Sequence, residues 1–285
     1  MTELNLETPD CPLCGCPERK QLYPPSNGKP FGVCACEQCG LAYLAPRLPE
    51  QEMLSLYQDD DYFGRDDGEG YTNYSEQEDA LRRTFRRVLA HLAAQGRTGG
   101  SLLEIGCGFG YLLDEARPYF TRRCGTDYSA NAVRSARQMA TKVWQGGVDS
   151  VPESEQFDCV IATHVVEHVY HPRAFIESLA RRLKPGGSML VAAPDFGSFW
   201  RKLMGNRWPS FKFPEHVLYF DGTSLSRLME ESGLSSVQVV PYAHAFPLPL
   251  IAAKFGIELP SSLGRHSLWL PATTIACVGV NHASA

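Results

Sequence analysis

The stretch Leu102–Gly110, LLEIGCGFG, decides the fold of this chain. Its apolar first half predicts a buried strand over 101–105 that runs into three alternate glycines. A helix then begins at Tyr111 and is stopped by Pro118. Glycines are needed where a backbone turns sharply against a ligand, and the free N–H groups at a helix start favour a carboxylate or phosphate. The pattern therefore predicts a turn that binds a nucleotide cofactor.

The spacing of the glycines separates two classes of cofactor. A dinucleotide fingerprint would be G-x-G-x-x-G, whereas these glycines fall at every second position. The pattern Glu-x-Gly-x-Gly-x-Gly resembles the first motif of class I S-adenosylmethionine-dependent methyltransferases. The resemblance implies that the cofactor site contains Glu104, Gly106, Cys107, Gly108 and Gly110.

An acidic residue follows the second predicted strand, Arg122–Thr126. Asp127 lies about 20 residues after the glycines, where folds of this kind place the carboxylate that accepts the ribose hydroxyls. The resemblance supports this role and puts Tyr128 beside the adenine. Alternatively, Asp127 caps the predicted helix Ser129–Ala140, although Ser129 could do that itself.

The segment 157–195, FDCVIATHVVEHVYHPRAFIESLARRLKPGGSMLVAAPD, extends the resemblance. It predicts a strand over 157–162, a helix over 172–183 and a strand over 188–193. It is similar to the second half of the domain in the group that includes ubiquinone-type and sugar methyltransferases. The resemblance implies an α/β fold with a Rossmann-like seven-stranded sheet, closed by an antiparallel hairpin of strands near 236–241 and 273–280.

One position departs from the family pattern. The family often has an acid after the first glycine of the segment 145–149, QGGVD, to hold the adenine amino group, and Gly147 stands there. A backbone group or Asp149 must serve instead, so the sequence leaves adenine recognition open.

Length and charge limit the classes of function. The chain has 285 residues, enough for one α/β domain and a small accessory module. No apolar run approaches the ~18 residues that cross a bilayer, and we expect a cytoplasmic protein without a membrane partner.

The net charge is −5, and the segment 50–79 holds eleven acidic residues against one basic residue. This repels phosphate backbones, so we expect a small-molecule substrate rather than a nucleic acid.

Six of the ten cysteines precede residue 40, which favours a metal site over a disulfide framework. Two C-x-x-C-G motifs occur, each with a glycine that lets amide groups turn toward the sulfurs, and a 21-residue gap separates them. Four thiolates in a tetrahedron suit Zn²⁺, and the spacing is close to that of a zinc ribbon. The predicted ligands are Cys11, Cys14, Cys36 and Cys39. Cys16 and Cys34 each lie two residues from one of these and could compete for the metal.

The predicted zinc is structural, because two complete motifs close the coordination shell. A ribbon this short cannot bury a core by itself, so the metal should supply most of its folding free energy. Similar N-terminal ribbons precede many methyltransferases of this group. We therefore expect a zinc-ribbon-like module over 1–46, a linker and lid helix over 47–97, and an S-adenosylmethionine-binding domain over 98–285.

Two further segments are candidates for ligand binding. A helix over 76–95 has an apolar face, and the resemblance implies that the segment before it covers the cofactor, with Tyr71 and Tyr74 in a lid or in ordinary packing. The insert 195–214 is rich in aromatic and basic residues, and its length favours a binding element. A helix over 224–232 should follow it.

Methyl transfer from a sulfonium is an in-line attack, so the protein must align the reactants and exclude water. A hydroxyl acceptor also needs a base, and histidine is the usual choice. His164 follows the fourth strand of the sheet and should contact the cofactor. The catalytic candidates are His216, His168 and Glu167, with His216 preferred because it lies between the aromatic insert and the last helix.

The sequence thus predicts a zinc-containing methyltransferase that acts on a small polar metabolite or sugar, most readily at oxygen. Methylation at carbon or nitrogen is the alternative among enzymes. Outside the enzymes, the alternative is a non-catalytic scaffold that binds the cofactor. Neither the acceptor nor the oligomeric state follows from the sequence.

Overall fold

The computed structural model describes residues 5–25, 29–57, 77–253, 256–260, 263 and 266–281. The strands are β1 (Arg19–Tyr23), β2 (Val33–Cys36), β3 (Ala42–Leu44), β4 (Ser101–Ile105), β5 (Arg122–Asp127), β6 (Lys142–Gln145), β7 (Phe157–Thr163), β8 (Leu183–Pro194), β9 (Leu218–Tyr219), β10 (Leu234–Val240), β11 (His244–Pro247), β12 (Ser267–Leu270) and β13 (Thr274–Asn281). The helices are α1 (Glu50–Tyr57), α2 (Glu78–Ala94), α3 (Tyr111–Glu115), α4 (Ala130–Ala136), α5 (Pro172–Ala180), α6 (Phe199–Met204), α7 (Gly222–Glu231) and α8 (Leu248–Ala253). The predicted lid tyrosines, Tyr71 and Tyr74, lie outside the described residues.

Seven strands form the central sheet in the order β10-β13-β8-β7-β4-β5-β6. The strands β4 to β8 of this sheet pair in parallel, and β13 is antiparallel to both β8 and β10. The predicted α/β fold is thereby confirmed. The two closing strands are antiparallel as predicted, but β11, α8 and β12 lie between them in the chain, so they do not form a hairpin. The central strands β4 and β7 are buried along almost their whole length, as expected of parallel strands that helices cover on both faces.

Three helices differ from their predicted bounds. The helix predicted over 172–183 ends at Ala180, because Leu183 already pairs with Phe157 as the first residue of β8. The helix predicted to end at Ala140 ends at Ala136 and continues as turns. The last long helix begins at Gly222, since the side chain of Asp221 caps it.

The N-terminal strands do not form an isolated unit. The second sheet has the order β1-β2-β3-β9, and its fourth strand comes from the segment after the aromatic insert. Leu41, Tyr43 and Leu44 are completely buried and belong to one core with Met189 of the central sheet. Apolar burial therefore contributes to the stability of the ribbon, which we expected to depend mostly on metal.

Helix α2 packs across α3 and β11. The Thr84 hydroxyl accepts a hydrogen bond from the Ala245 backbone N–H at 3.0 Å, and the Arg83 guanidinium lies over the Trp269 ring. These contacts hold the segment after β10 against the sheet. None of the described helices is long and apolar enough to cross a membrane.

Candidate active site and metal cluster

The glycine turn has the backbone conformation that only glycine adopts readily. Gly106, Gly108 and Gly110 have φ angles of 69°, 50° and 86°. A Cβ atom at Gly106 would lie 2.7 Å from a methyl carbon of Val165, and one at Gly110 would lie 2.9 Å from the Cα of Ala136. The turn is therefore fixed both by its backbone angles and by close packing against the neighbouring loop and helix.

Asp127 ties the end of β5 to this turn. Its Oδ2 accepts from the Gly108 N–H at 2.8 Å, and its Oδ1 accepts from the Ser129 N–H at 2.9 Å. Burial raises the pKa of this carboxyl, and the two hydrogen bonds partly offset the rise. The N-cap of α4 is Ser129, whose side-chain oxygen accepts a hydrogen bond from the Ala132 backbone N–H. Asp127 therefore does not cap this helix.

Gly147, which departs from the family pattern, lies against the Tyr128 ring. The tyrosine is 63% exposed, and a Cβ at Gly147 would lie 2.7 Å from its hydroxyl oxygen. A side chain at 147 would therefore require this exposed ring to move.

Glu104 lies beneath the turn with no hydrogen-bond partner at Oε2. It is almost completely buried, and burial together with the negative charge of Asp127 raises its pKa well above the usual value. An unpaired buried polar group costs about 1–3 kcal/mol. Such a group calls for a bound partner, and a cation is the partner that a carboxylate prefers.

His164 has a strained backbone at the end of β7. Its φ is 56°, which is uncommon for a residue other than glycine and occurs often at functional sites. Its Nδ1 lies 3.3 Å from Glu167 Oε1, and its Nε2 is buried without a partner. The residue thus stands at the same sheet edge as the glycine turn, as the sequence predicted for a cofactor contact.

The three predicted catalytic residues come together. Glu167, His168 and His216 each offer a ligand atom, and these atoms all lie within 4.8 Å of one another. The two imidazole rings meet edge to face at 4.7 Å. His216 is only 5% exposed, so it lies inside the protein rather than on a surface open to solvent.

Electrostatics keep this cluster in a defined protonation state. Burial lowers the pKa of both His168 and His216, so both rings are neutral at neutral pH. Burial alone would raise the pKa of Glu167, but the hydrogen bond with His164 is the main effect that outweighs it, and the pKa is lowered. The cluster is therefore one carboxylate beside two neutral imidazoles.

Sequence reasoning missed Tyr242 and His244, which contact His164. Their ring centroids lie 6.4 Å and 5.8 Å from the His164 ring, and the Tyr242 hydroxyl and His244 Nδ1 are buried without partners. Burial lowers the pKa of His244 to about 3. One signal could have found them: β10 runs in the direction of the parallel strands, so its carboxyl end meets the ligand edge of the sheet.

The aromatic insert divides into a buried and an exposed part. Trp208 is buried and meets Phe196 and Phe211 edge to face, and Phe211 in turn contacts Tyr23 of the ribbon. By contrast, Phe199 on α6 is exposed. Much of the insert that we interpreted as a binding element thus packs the ribbon onto the main domain.

The four predicted metal ligands form a compact group. Their sulfurs lie within 4.8 Å of one another, with Cys11 Sγ 3.4 Å from Cys39 Sγ and Cys14 Sγ 3.5 Å from Cys36 Sγ. The glycine after each motif has φ near +75°, at 72° for Gly15 and 78° for Gly40. These turns aim the four sulfurs at one point, as a tetrahedral site requires.

The two competing cysteines point elsewhere. The Cys16 thiol donates to Glu18 Oε2 at 2.9 Å, and the Cys34 thiol donates to Gln21 Oε1 at 3.5 Å. Within the group of four, burial raises the pKa of Cys36, but hydrogen bonds from Cys39 and Gln38 outweigh it and lower the value to about 7. Geometry therefore selects the four cysteines of the two motifs.

Comparison with known proteins agrees with this arrangement. The family model of a methyltransferase domain matches residues 76–239, more than half of the chain. A ubiquinone biosynthesis O-methyltransferase of Rhodopseudomonas palustris is 30% identical over 177 residues, which cover 55% of this chain and 69% of the relative. One from Nitrobacter winogradskyi is 28% identical over 177 residues, covering 55% and 67%.

Solved structures share the fold. A SAM-dependent methyltransferase from Archaeoglobus fulgidus superposes with a TM-score of 0.52 at 15% identity, covering 72% of this chain and 97% of that one. One from Thermotoga maritima gives 0.51 at 18% identity, covering 71% and 90%. The chain belongs to the methyltransferase domain family, and it is a class I S-adenosylmethionine-dependent methyltransferase.

Proposed function

We propose that the protein transfers the methyl group of S-adenosylmethionine to an oxygen atom of a small polar metabolite or sugar. The observation that carries this proposal is the meeting of the glycine turn with Glu167, His168 and His216 at one edge of the sheet. One group of residues suits the cofactor, and the other suits removal of a hydroxyl proton. Several relatives that match the chain are named as O-methyltransferases, which supports oxygen over nitrogen or carbon.

The residues around the turn fit the cofactor. Asp127 has two further lone pairs for the ribose hydroxyls, and the glycines leave room for a ligand against the backbone. The unpartnered oxygen of Glu104 suits the cationic amino group of the methionine part. When bound, the cofactor supplies an activated methyl group on a sulfonium. Tyr128 and Gly147 would flank the adenine, and Cys107 and His164 would complete the site.

The acceptor needs a base within hydrogen-bond distance of its hydroxyl. His216 Nδ1 carries a lone pair without a partner, and His168 is its neighbour. As the hydroxyl proton passes to the base, the acceptor oxygen forms a bond with the methyl carbon, and the C–S electron pair returns to sulfur. Tyr242 and His244 offer neutral hydrogen-bonding groups on the same side, while the ionised Glu167 repels an anionic acceptor. These residues favour an uncharged hydroxyl.

We also propose that the ribbon holds one structural zinc and that the protein works in the cytoplasm. Four sulfurs close a tetrahedral shell, which leaves no position for a substrate. Cysteines arranged as metal ligands rather than as a disulfide framework are typical of a reducing compartment, which supports the cytoplasmic proposal.

Turnover tests the function. The purified protein would be incubated with S-adenosylmethionine and a panel of hydroxyl, amine and carbon acceptors, and the products would be identified by mass spectrometry. Methylated hydroxyl compounds are expected. Products methylated only at nitrogen or carbon would overturn the acceptor atom, and tight cofactor binding without turnover on any acceptor would favour the non-catalytic scaffold.

A further inference from the structure

The cluster of Glu167, His168 and His216 has the composition of a metal site as well as that of a base. Among the described residues it is one of two groups whose ligand atoms all lie within 4.8 Å of one another, and the other is the cysteine group of the ribbon. We propose that Glu167, His168 and His216 bind a divalent transition-metal ion of the Zn²⁺ class, distinct from the ribbon zinc. Two imidazoles and one carboxylate form a known ligand set for such ions.

Hydrogen bonds orient both imidazoles for this role. Nδ1 of His168 lies 3.1 Å from the carbonyl oxygen of Glu215, which requires the proton on Nδ1 and leaves the lone pair on Nε2. His216 is supported by the backbone of Ser210, while its Nδ1 is buried without a partner. A metal-binding histidine has this arrangement, in which the nitrogen that does not bind the ion donates to a carbonyl.

The two oxygens of the Glu167 carboxylate also differ in their partners. Oε1 of Glu167 takes the His164 ring as its partner, whereas Oε2 is buried with no partner, and the residue is only 1% exposed. Glu167 and His216, two residues of one cluster that lie on different segments, thus each have one buried atom without a partner, Oε2 and Nδ1. A bound cation would satisfy both.

The chemistry of the ligand set agrees with this geometry. A divalent ion of this class binds a carboxylate oxygen and imidazole nitrogens in their deprotonated forms, and the cluster brings three such side chains together.

Three protein ligands leave the coordination shell open, in contrast to the closed group in the ribbon. Resting on the proposed function, we assign the open position to the acceptor hydroxyl. A metal held there would lower the pKa of the acceptor hydroxyl and would take over the activation that the proposed function assigns to a histidine base. The hydroxyl proton would pass to solvent, the oxygen electron pair would form the bond to the methyl carbon, and the C–S pair would return to sulfur. His216 would then hold the metal with the lone pair that otherwise accepts the proton.

Cobalt substitution of the full chain tests the site without any acceptor. Metal-free protein would be titrated with Co²⁺, which gives intense sulfur-to-metal charge-transfer bands in a four-cysteine site and only weak ligand-field bands with nitrogen and oxygen ligands. The expected result is two ions per chain, with the sulfur bands complete after one equivalent. A titration that ends at one sulfur-bound ion per chain would overturn the proposal, whatever the variants do.

Three variants locate the second ion. His216→Ala and Glu167→Gln should each bind one ion per chain with unchanged sulfur bands, while His171→Ala, which removes an exposed histidine of the neighbouring turn, should still bind two. Circular dichroism and calorimetric cofactor binding establish that each variant is folded. Two ions in folded His216→Ala and Glu167→Gln would refute the assignment. If the wild type binds no second ion but still binds the cofactor, only the metal site fails. The proposed methyl transfer is tested separately, by the turnover assay.

Discussion

The ribbon and the sheet edge each gather ligand atoms, but they do so by different means. In the ribbon, two short motifs each supply two sulfurs, and a left-handed glycine closes each motif. At the sheet edge, Glu167 and His168 come from the loop after β7, whereas His216 comes from a segment 48 positions later that also provides β9. The ribbon site is formed mainly by residues that are close together in the chain, and packing stabilises it further. The sheet-edge cluster depends on contacts between distant segments.

The difference also concerns what each group can do. Four thiolates complete a tetrahedral shell and are suited to stability. A carboxylate and two imidazoles do not complete a coordination shell. Glu167 contacts His164, and the next residue, Val165, packs against Gly106 of the glycine turn. Four experiments test whether the two regions are as separate as this comparison implies.

The largest effect is expected in the ribbon. Cys36→Ser should remove the bound zinc and cost about 5 kcal/mol of folding free energy, less than the roughly 10–16 kcal/mol of isolated zinc-finger peptides because apolar burial also holds this ribbon. Metal analysis and thermal unfolding measure both quantities. The matched control is Cys16→Ser, which should keep its zinc because that thiol binds Glu18. A metal-free protein with unchanged stability and turnover would show that zinc does not stabilise the ribbon.

The next effect concerns chemistry at the sheet edge. His216→Ala should slow methyl transfer by about 10²- to 10⁴-fold, the usual cost of losing a base, with little change in cofactor affinity. Single-turnover rates of His216→Ala and His168→Ala provide the comparison. A deficit only in His216→Ala identifies a single base, and equal deficits with loss of the second ion identify a metal site. A normal rate in His216→Ala would remove this residue from the chemistry.

Asp127→Ala should weaken cofactor binding by about 1.5–3 kcal/mol, the range for hydrogen bonds to a charged acceptor. Ser129→Ala is the control, because it removes the cap of α4 and should cost about 1 kcal/mol of stability with little effect on the cofactor. Calorimetric titration measures the affinities. Unchanged affinity in Asp127→Ala would exclude this residue from the site, and binding of NAD by the wild type would overturn the cofactor class.

The smallest effect is a loss of stability in mild acid. Burial lowers the pKa of His168 and His216 below the value of about 6.5 that histidine has when unfolded. The unfolded chain therefore takes up protons first, so stability is complete above about pH 6.5 and falls as the pH drops toward the folded values. Each histidine contributes a slope of at most about 1.4 kcal/mol per pH unit.

Denaturant unfolding of metal-free protein across this pH window measures the slope. His216→Gln should flatten it, and His171→Ala, which changes an exposed ring, should not. Equal slopes in wild type and His216→Gln would contradict the buried neutral state of this histidine.

The parts of the site that the sequence predicted share one property: their residues are close together in the chain. Gly106, Gly108 and Gly110 are recognisable because each needs its own backbone angle, and Asp127 follows the next strand at a fixed interval. Tyr242 and His244 carried no such signal. Their position depends on the direction of β10 and on the hydrogen bond between Thr84 and Ala245, which join distant parts of the chain.

The ends of helices were also not predictable from the local sequence alone. Periodicity predicted the helix that begins at Pro172, but its end at Ala180 depends on the pairing of Leu183 with Phe157 in the sheet. The aromatic insert was interpreted from its composition alone, and only the packed structure shows that Trp208 and Phe211 join the ribbon to the main domain. Local chemistry does not indicate which surface an aromatic ring will meet.

The sequence by itself determined the class of protein, the cofactor turn and the four thiols of the ribbon, because these depend on backbone angles and spacings within short segments. The tertiary structure alone decided that β9 completes the ribbon sheet, that Cys16 and Cys34 turn away from the sulfurs, and that His216 meets Glu167 and His168 in a buried cluster. These contacts join residues far apart in the chain. Their formation is governed by the burial of shared apolar surface and by the pairing of polar groups, which no short segment specifies.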